Sequence, residues 1–246
     1  MYYSPLDQFM VKPLLMMSES LTVSMTNYTL YLMLVVTLMV ITYGLVRSGK
    51  LVSTRWGVAI ISLYDTMLNL VTGQMGRRAG YYYPLVYTVF NVMLLANLVS
   101  MVPYSFAATG QLVPVIGLSL ATWMGNVVLG LYLHGLGFFA TFVPGGTPTP
   151  TVPVLVTIEC TSYCSRAIST GTRLGANILS GHTTMTILGG TIIGTMSSSI
   201  FGFITGVVPI AGVVAITITE FGIAIIQAYV FSITTSGYIK DSVDTH

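Results

Sequence analysis

Apolar stretches of roughly 20 residues, the length a helix needs to cross about 30 Å of hydrocarbon, recur from near residue 25 to near residue 235. Charge is scarce throughout: 7% of the 246 residues are charged and 54% are hydrophobic. A soluble domain carries about a quarter charged residues to cover its surface. The chain is therefore built for lipid, and the run of apolar segments predicts a single polytopic membrane domain over residues 1–246.

The formal charge of +2 is small and dispersed. That excludes nucleic acid as a partner, which requires Lys and Arg gathered on one face or stripe. Cys160 and Cys164 lie one helical turn apart in an apolar run, with no further Cys or paired His to complete a tetrahedral zinc site. They read as small packing residues, and neither a metal nor another cofactor is expected. Gly44, Gly49 and Lys50 fit GxxxxGK, but Leu51 stands where a P-loop needs Ser or Thr, and the motif ends a spanning segment instead of following a strand. The first apolar run starts well inside the chain and is about as long as a full span, unlike the short core and basic start of a cleavable signal. This suits a bacterial inner-membrane protein or a product of an organelle's own genome.

Asn27–Val46 forms the first span, within 25–46, and its basic end at Arg47 and Lys50 belongs on the matrix or cytoplasmic side. Over 51–80, Arg55, Asp65, Arg77 and Arg78 are interleaved with Trp56, Ile60, Leu63, Tyr64, Leu68 and Leu70 at three- and four-residue spacing. That is the pattern of an amphipathic helix lying along a surface. Tyr81–Tyr83 supply interfacial anchors, and two spans follow within 84–142, from Pro84 to Val102 and from Pro114 to about Phe142. The prolines and paired glycines of Val143–Pro153 cannot continue a helix. Val154 to about Met196 and Phe201–Tyr238, separated by a serine cluster, read as two long helices forming a tilted hairpin within 154–240. The expectation is an all-α polytopic protein with five spanning helices, one amphipathic interfacial helix and an N-terminal segment, residues 1–24. An odd number of crossings puts the termini on opposite sides, and Lys and Arg between residues 47 and 78 place that segment inside.

Ionisable residues inside a membrane are costly enough that each is a functional candidate. Here nearly all lie in the last two helices. At about 100° per residue, Glu159, Ser162, Arg166, Ser169, Arg173, Asn177 and Ser180 fall within roughly 40° of one line. The opposite side carries Gly171 and Gly175, a GxxxG arrangement that permits close approach of another helix backbone. Arg166 is placed to reach an interface or to pair with Glu159, whereas Arg173 has no carboxylate within a turn on either side. An arginine without a local partner implies one from elsewhere. On the last helix Glu220 and Gln227 are seven residues apart and share a face. His182, roughly opposite the arginine stripe, is positioned to look toward Glu220, and an imidazole with a carboxylate makes a proton relay because histidine titrates near neutral pH.

Asn91, Asn97, Asn126 and His134 have no aligned acid and read as interhelical hydrogen-bonding groups. A stand-alone transporter or channel would show paired halves with a site at their interface. No internal duplication is visible here, and the confinement of polar residues to two helices argues for a surface that serves a partner. A purely structural subunit would leave the polar stripe unexplained.

Residues 165–182, SRAISTGTRLGANILSGH, resemble the essential-arginine helix of subunit a of the F-type ATP synthases in its mitochondrial form. The resemblance covers most of the chain: SPLDQF at 4–9 is similar to the start of fungal versions, ANLVSMVPYSF at 96–106 to the helix end before the central hairpin, and EFGIAIIQAYVF at 220–231 to the last helix. The family implies that Arg173 faces the acid of a c-subunit ring, with Asn177 and Gln227 nearby. It implies His182 and Glu220 as the relay of an entry half-channel, and Glu159 and Asp241 in an exit half-channel, with Asp244 an equally near alternative to Asp241. Bacterial relatives usually differ at the His182 and Glu220 positions, which favours the mitochondrial branch. The resemblance further implies a subunit that is not catalytic alone. Its implied partners are the c-ring, the peripheral-stalk and other small membrane subunits, lipid and a second copy of the synthase. The implied location is the mitochondrial inner membrane, with the N-terminus in the intermembrane space and the C-terminus in the matrix. It begins at Ser4, which makes residues 1–3 a candidate leader.

Overall fold

The computed structural model describes residues 4–16, 24–46, 54–102, 105–143, 151–196 and 205–243. The basic end at Arg47 and Lys50, most of the proline-rich turn, the serine cluster and Asp244 lie outside the described residues. The architecture is all-α and polytopic, as the hydropathy pattern implies. Its helices are α1 (Asn27–Val46), α2 (Arg55–Met75), α3 (Ala79–Ser100), α4 (Leu112–His134), α5 (Val152–Met196) and α6 (Val207–Val243).

Among the described residues, α1, α3, α4 and α6 are long and apolar enough to cross a membrane, which is four spans where five are expected. The fifth, α5, extends over 45 residues but carries Glu159, Arg166 and Arg173 in its first half and many Gly and Thr residues with His182 in its second, which keep it out of the apolar set. Other departures are local. The segment read as a span to Phe142 ends as α-helix at His134, because Gly135 takes φ 57 and turns the chain into a 3-10 stretch, Gly135–Phe142. α2 begins on a Thr54 cap that accepts from the Gly57 N–H at 3.3 Å and stops at Gly76, φ 58. Within the chain α2 buries Met67, Val71 and Met75 at four-residue spacing and leaves Trp56, Leu63 and Tyr64 exposed. Cys160 is also exposed, so it does not pack within the chain as expected.

The chain divides into two compact units. The first comprises Met1–Ile41, Val92–Gln111 and Leu174–Ala228. It opens with a pair of short antiparallel strands that the sequence pattern does not announce, β1 (Pro13–Met16) and β2 (Ser24–Thr26). Asn27 closes this hairpin, accepting from Lys12 N–H at 3.1 Å and donating to Met10 O at 3.0 Å. In this unit α5 and α6 run antiparallel, with Glu220 beside Gly181 and Leu188 beside Gly212. Buried Asn97 on α3 donates to Ala224 O on α6 at 3.1 Å, the interhelical role its position suggests.

The second unit comprises Thr42–Asn91, Leu112–Arg173 and Tyr229–His246. Tyr83 on α3 donates its hydroxyl to Tyr64 O on α2 at 2.9 Å and stacks on Tyr87. The 3-10 stretch after α4 folds back so that Phe138 lies against Gly130, where an added Cβ would meet the ring. Phe138 and Phe142 join Tyr163 of α5 and Tyr238 of α6 in one buried aromatic cluster. At the end of α6, Arg78 Nη1 donates to Val243 O at 2.9 Å and His134 Nε2 lies 3.2 Å from the same oxygen. A guanidinium such as that of Arg78 on the last carbonyls of a helix caps it and suits its dipole.

Candidate functional site

The site is built on the way α5 sorts its residues by face. Tyr163, Ala167, Thr170, Gly171, Leu174, Gly175 and Ile178 are buried. Within the second unit, an added Cβ at Gly171 would sit 2.9 Å from Ile116 Cα and 3.2 Å from Val115 O, so the α4 and α5 backbones approach as closely as glycine permits. Ser119 Oγ closes the same contact by donating to Ala167 O at 2.6 Å. On the other side, Glu159, Ser162, Arg166, Ser169, Arg173 and Ser180 are exposed and Asn177 is half-buried. This subunit therefore leaves its most expensive helix face uncovered.

Arg173 lies near the middle of α5 on that face. Among the described residues no hydrogen bond or ion pair holds its side chain. Arg166, seven residues earlier, pairs with Asp241 of α6 at 3.8 Å, not with Glu159. Two helical turns between Glu159 and Arg166 span roughly 10 Å, whereas α6 delivers Asp241 directly. Both partners are about half exposed, 49% and 42%, so solvent weakens the pair. Glu159 lies exposed on the same stripe.

In the first unit Glu220 is 7% exposed and His182 half-buried. The Glu220 side chain lies against the α5 backbone: an added Cβ at Gly181 would come within 2.5 Å of its carboxyl carbon. Gly181 is thus what allows the carboxylate to sit one residue from His182. His182 Nε2 and both Glu220 carboxylate oxygens are buried without a hydrogen-bond partner among the described residues. Buried polar atoms are nearly always bonded to protein or water, so three orphans on these two residues are an exceptional concentration. Gln227, one face-repeat along α6, is also buried.

The N-terminal turn enters this neighbourhood too. Phe9 packs edge-on against the His182 ring, with centroids 6.2 Å apart and planes at 88°.

The chain matches the family model described as ATP synthase A chain over residues 26–240. It is 64% identical to ATP synthase subunit a of Candida parapsilosis, with the whole of both chains aligned. It is 63% identical to that of Candida albicans, again over both whole chains. To the Saccharomyces cerevisiae protein of the same name it is 44% identical, covering 99% of this chain and 96% of the relative. The chain belongs to the ATP synthase subunit a family.

As a member of that family it is a membrane-embedded part of the proton-translocating sector, associated with other synthase subunits such as the c-ring. The ATP synthase complex as a whole is the enzyme. Of the residues singled out from sequence, the fold brings Glu220 to the backbone beside His182, and Asp241 to Arg166. Sequence reasoning missed Gly181, Phe9 and Gln111, whose Nε2 donates to Phe9 O. Gly181 was legible in principle, being a small residue directly before a polar one on a long helix. Nothing local marks a link between residues 9 and 182.

Proposed function

We propose that this subunit is the fixed half of a proton turbine, in which Arg173 confronts the rotor carboxylate between two offset half-channels. His182 and Glu220 form the entry-side relay, Glu159 and Asp241 line the exit side, and Asn177 and Gln227 flank the arginine. The observation that carries this reading is the exposed Arg173 guanidinium, held by no partner among the described residues, on a helix whose opposite face is packed. An unpaired cation at membrane depth costs several kcal/mol by lenient estimates. A passing acid on another polypeptide supplies the missing countercharge.

The chemistry follows from charge and solvent. A rotor carboxylate entering lipid must be protonated, and beside a guanidinium, which stays charged even when buried, it is favoured as the anion. Each rotor acid therefore releases its proton to the exit side, passes Arg173 ionised and takes up a proton from the entry side. The fixed positive charge also blocks protons from crossing directly between the half-channels. One charge crossing about 100 mV gains about 2.3 kcal/mol, so several protons per turn support ATP formation in the head.

This reading places the protein in the mitochondrial inner membrane with its N-terminus in the intermembrane space and its C-terminus in the matrix. Peripheral-stalk and other small membrane subunits, lipid and a dimeric synthase complete its surroundings, and the coupling ion is H+. The yeast relatives and the titratable pair His182 and Glu220 support it. Arg173→Ala should abolish ATP-driven proton pumping in membrane vesicles while the soluble head still hydrolyses ATP; unchanged pumping would overturn the assignment.

A further inference from the structure

The N-terminal turn Asp7–Phe9 is tied down from several directions although it is only one 3-10 turn long. The Asp7 carboxylate accepts from Ser4 N–H at 3.2 Å, and Met10 N–H closes the turn on Asp7 O, also at 3.2 Å. Gln111 Nε2, just ahead of α4, donates to Phe9 O. Thr186, one turn beyond His182 on α5, offers its hydroxyl to Gln8 Oε1 at 3.3 Å. Buried Gly110 makes room for the aromatic ring, since a Cβ there would lie 2.9 Å from Phe9 Cε1 and 3.3 Å from Phe9 Cδ1. These contacts converge on one result, the edge-to-face seat of Phe9 on the His182 imidazole.

We propose that this turn is a clamp that sets the orientation of His182, with Phe9 as its positioning residue. The inference rests on the entry-side role of His182 proposed above. Nε2 of His182 has no hydrogen-bond partner among the described residues, so no polar contact at that atom sets the plane of the ring and packing must. An imidazole that passes protons works only while its nitrogens point along the path, and ring packing is the means of holding them there. Edge-on aromatic contacts are directional, which suits them to fixing a ring plane. The clamp lies far from the helix pair in sequence and meets α5 at two places, the Thr186 hydroxyl on Gln8 and the Phe9 ring on His182.

The test uses the intact synthase in liposomes, with proton uptake measured against entry-side pH and the amount of assembled complex measured alongside. Phe9→Ala should lower uptake by about threefold to tenfold, the scale of one aromatic pair, and alter the pH profile. Phe9→Tyr should keep both close to wild type. Gly110→Ala, which touches no relay residue but pushes the Phe9 ring from its seat, should change uptake in the same direction as Phe9→Ala. In a His182→Ala background, Phe9→Ala should add nothing, because the clamp has nothing left to hold. Full uptake with an unchanged profile in Phe9→Ala, or an equal further loss in the His182→Ala background, overturns the clamp while leaving the relay intact. Wild-type uptake in His182→Ala alone removes the relay and the clamp with it.

Discussion

The two pairs of ionisable residues on α5 and α6 are built in opposite ways. Glu220 is buried and His182 half-buried, together they leave three buried polar atoms without a partner among the described residues, and Glu220 depends on Gly181 for its seat on the α5 backbone. Arg166 and Asp241 are half exposed and already ion-paired at 3.8 Å. Enclosure makes the first pair sensitive to the loss of a proton site or of a fraction of an ångström. Solvent and long side chains make the second forgiving. Under the proposed function, the first is the region where protons are handed on by fixed groups and the second the one where they escape to water.

That contrast orders the expected effects. Glu220→Gln keeps the shape of the carboxyl but cannot accept a proton, so proton uptake should fall on the order of 100-fold, the scale of a lost acid-base group. Assembly, read as co-purification with the c-ring, should be little changed. Uptake equal to wild type would remove Glu220 from the path. Gly181→Ala forces the carboxylate off the α5 backbone, and overpacking of this kind corresponds to about a tenfold loss. If uptake in Gly181→Ala is normal, the close seat of Glu220 has no functional weight. Arg166→Gln should be mildest: an exposed pair contributes about 0.5 kcal/mol, so thermal stability of the complex should shift by no more than a degree or two. A large loss of stability there would show that the exposed pair holds the helices together and would erase the contrast.

Much of this was legible in residue order because helices make faces from spacing. Polar residues from Glu159 to Ser180 at three-, four- and seven-residue intervals define one exposed stripe, and Gly171 marks the packed side without any knowledge of its neighbour. The hydrogen-bonding roles of Asn97 and His134 follow from the cost of leaving a polar group unbonded in an apolar run. The remainder depends on chain folding that no local period encodes. Arg166 finds Asp241 at 75 positions' remove because α6 returns antiparallel, although Glu159 looked the nearer partner along the chain. The residues of α2 that the chain itself covers, Met67, Val71 and Met75, follow from which neighbours fold onto the helix, and the spacing of its apolar residues does not single them out. The β1–β2 pair is hard to read from sequence because its strands are only four and three residues long, too short for a period to stand out.

The central claim concerns one side chain, and experimental density for the assembled membrane sector tests it most directly. The account predicts the Arg173 guanidinium turned toward the c-ring, with a rotor carboxylate as its nearest anion. Density showing that guanidinium folded inward and paired with carboxylates or carbonyls of this same subunit, away from the ring, would contradict it.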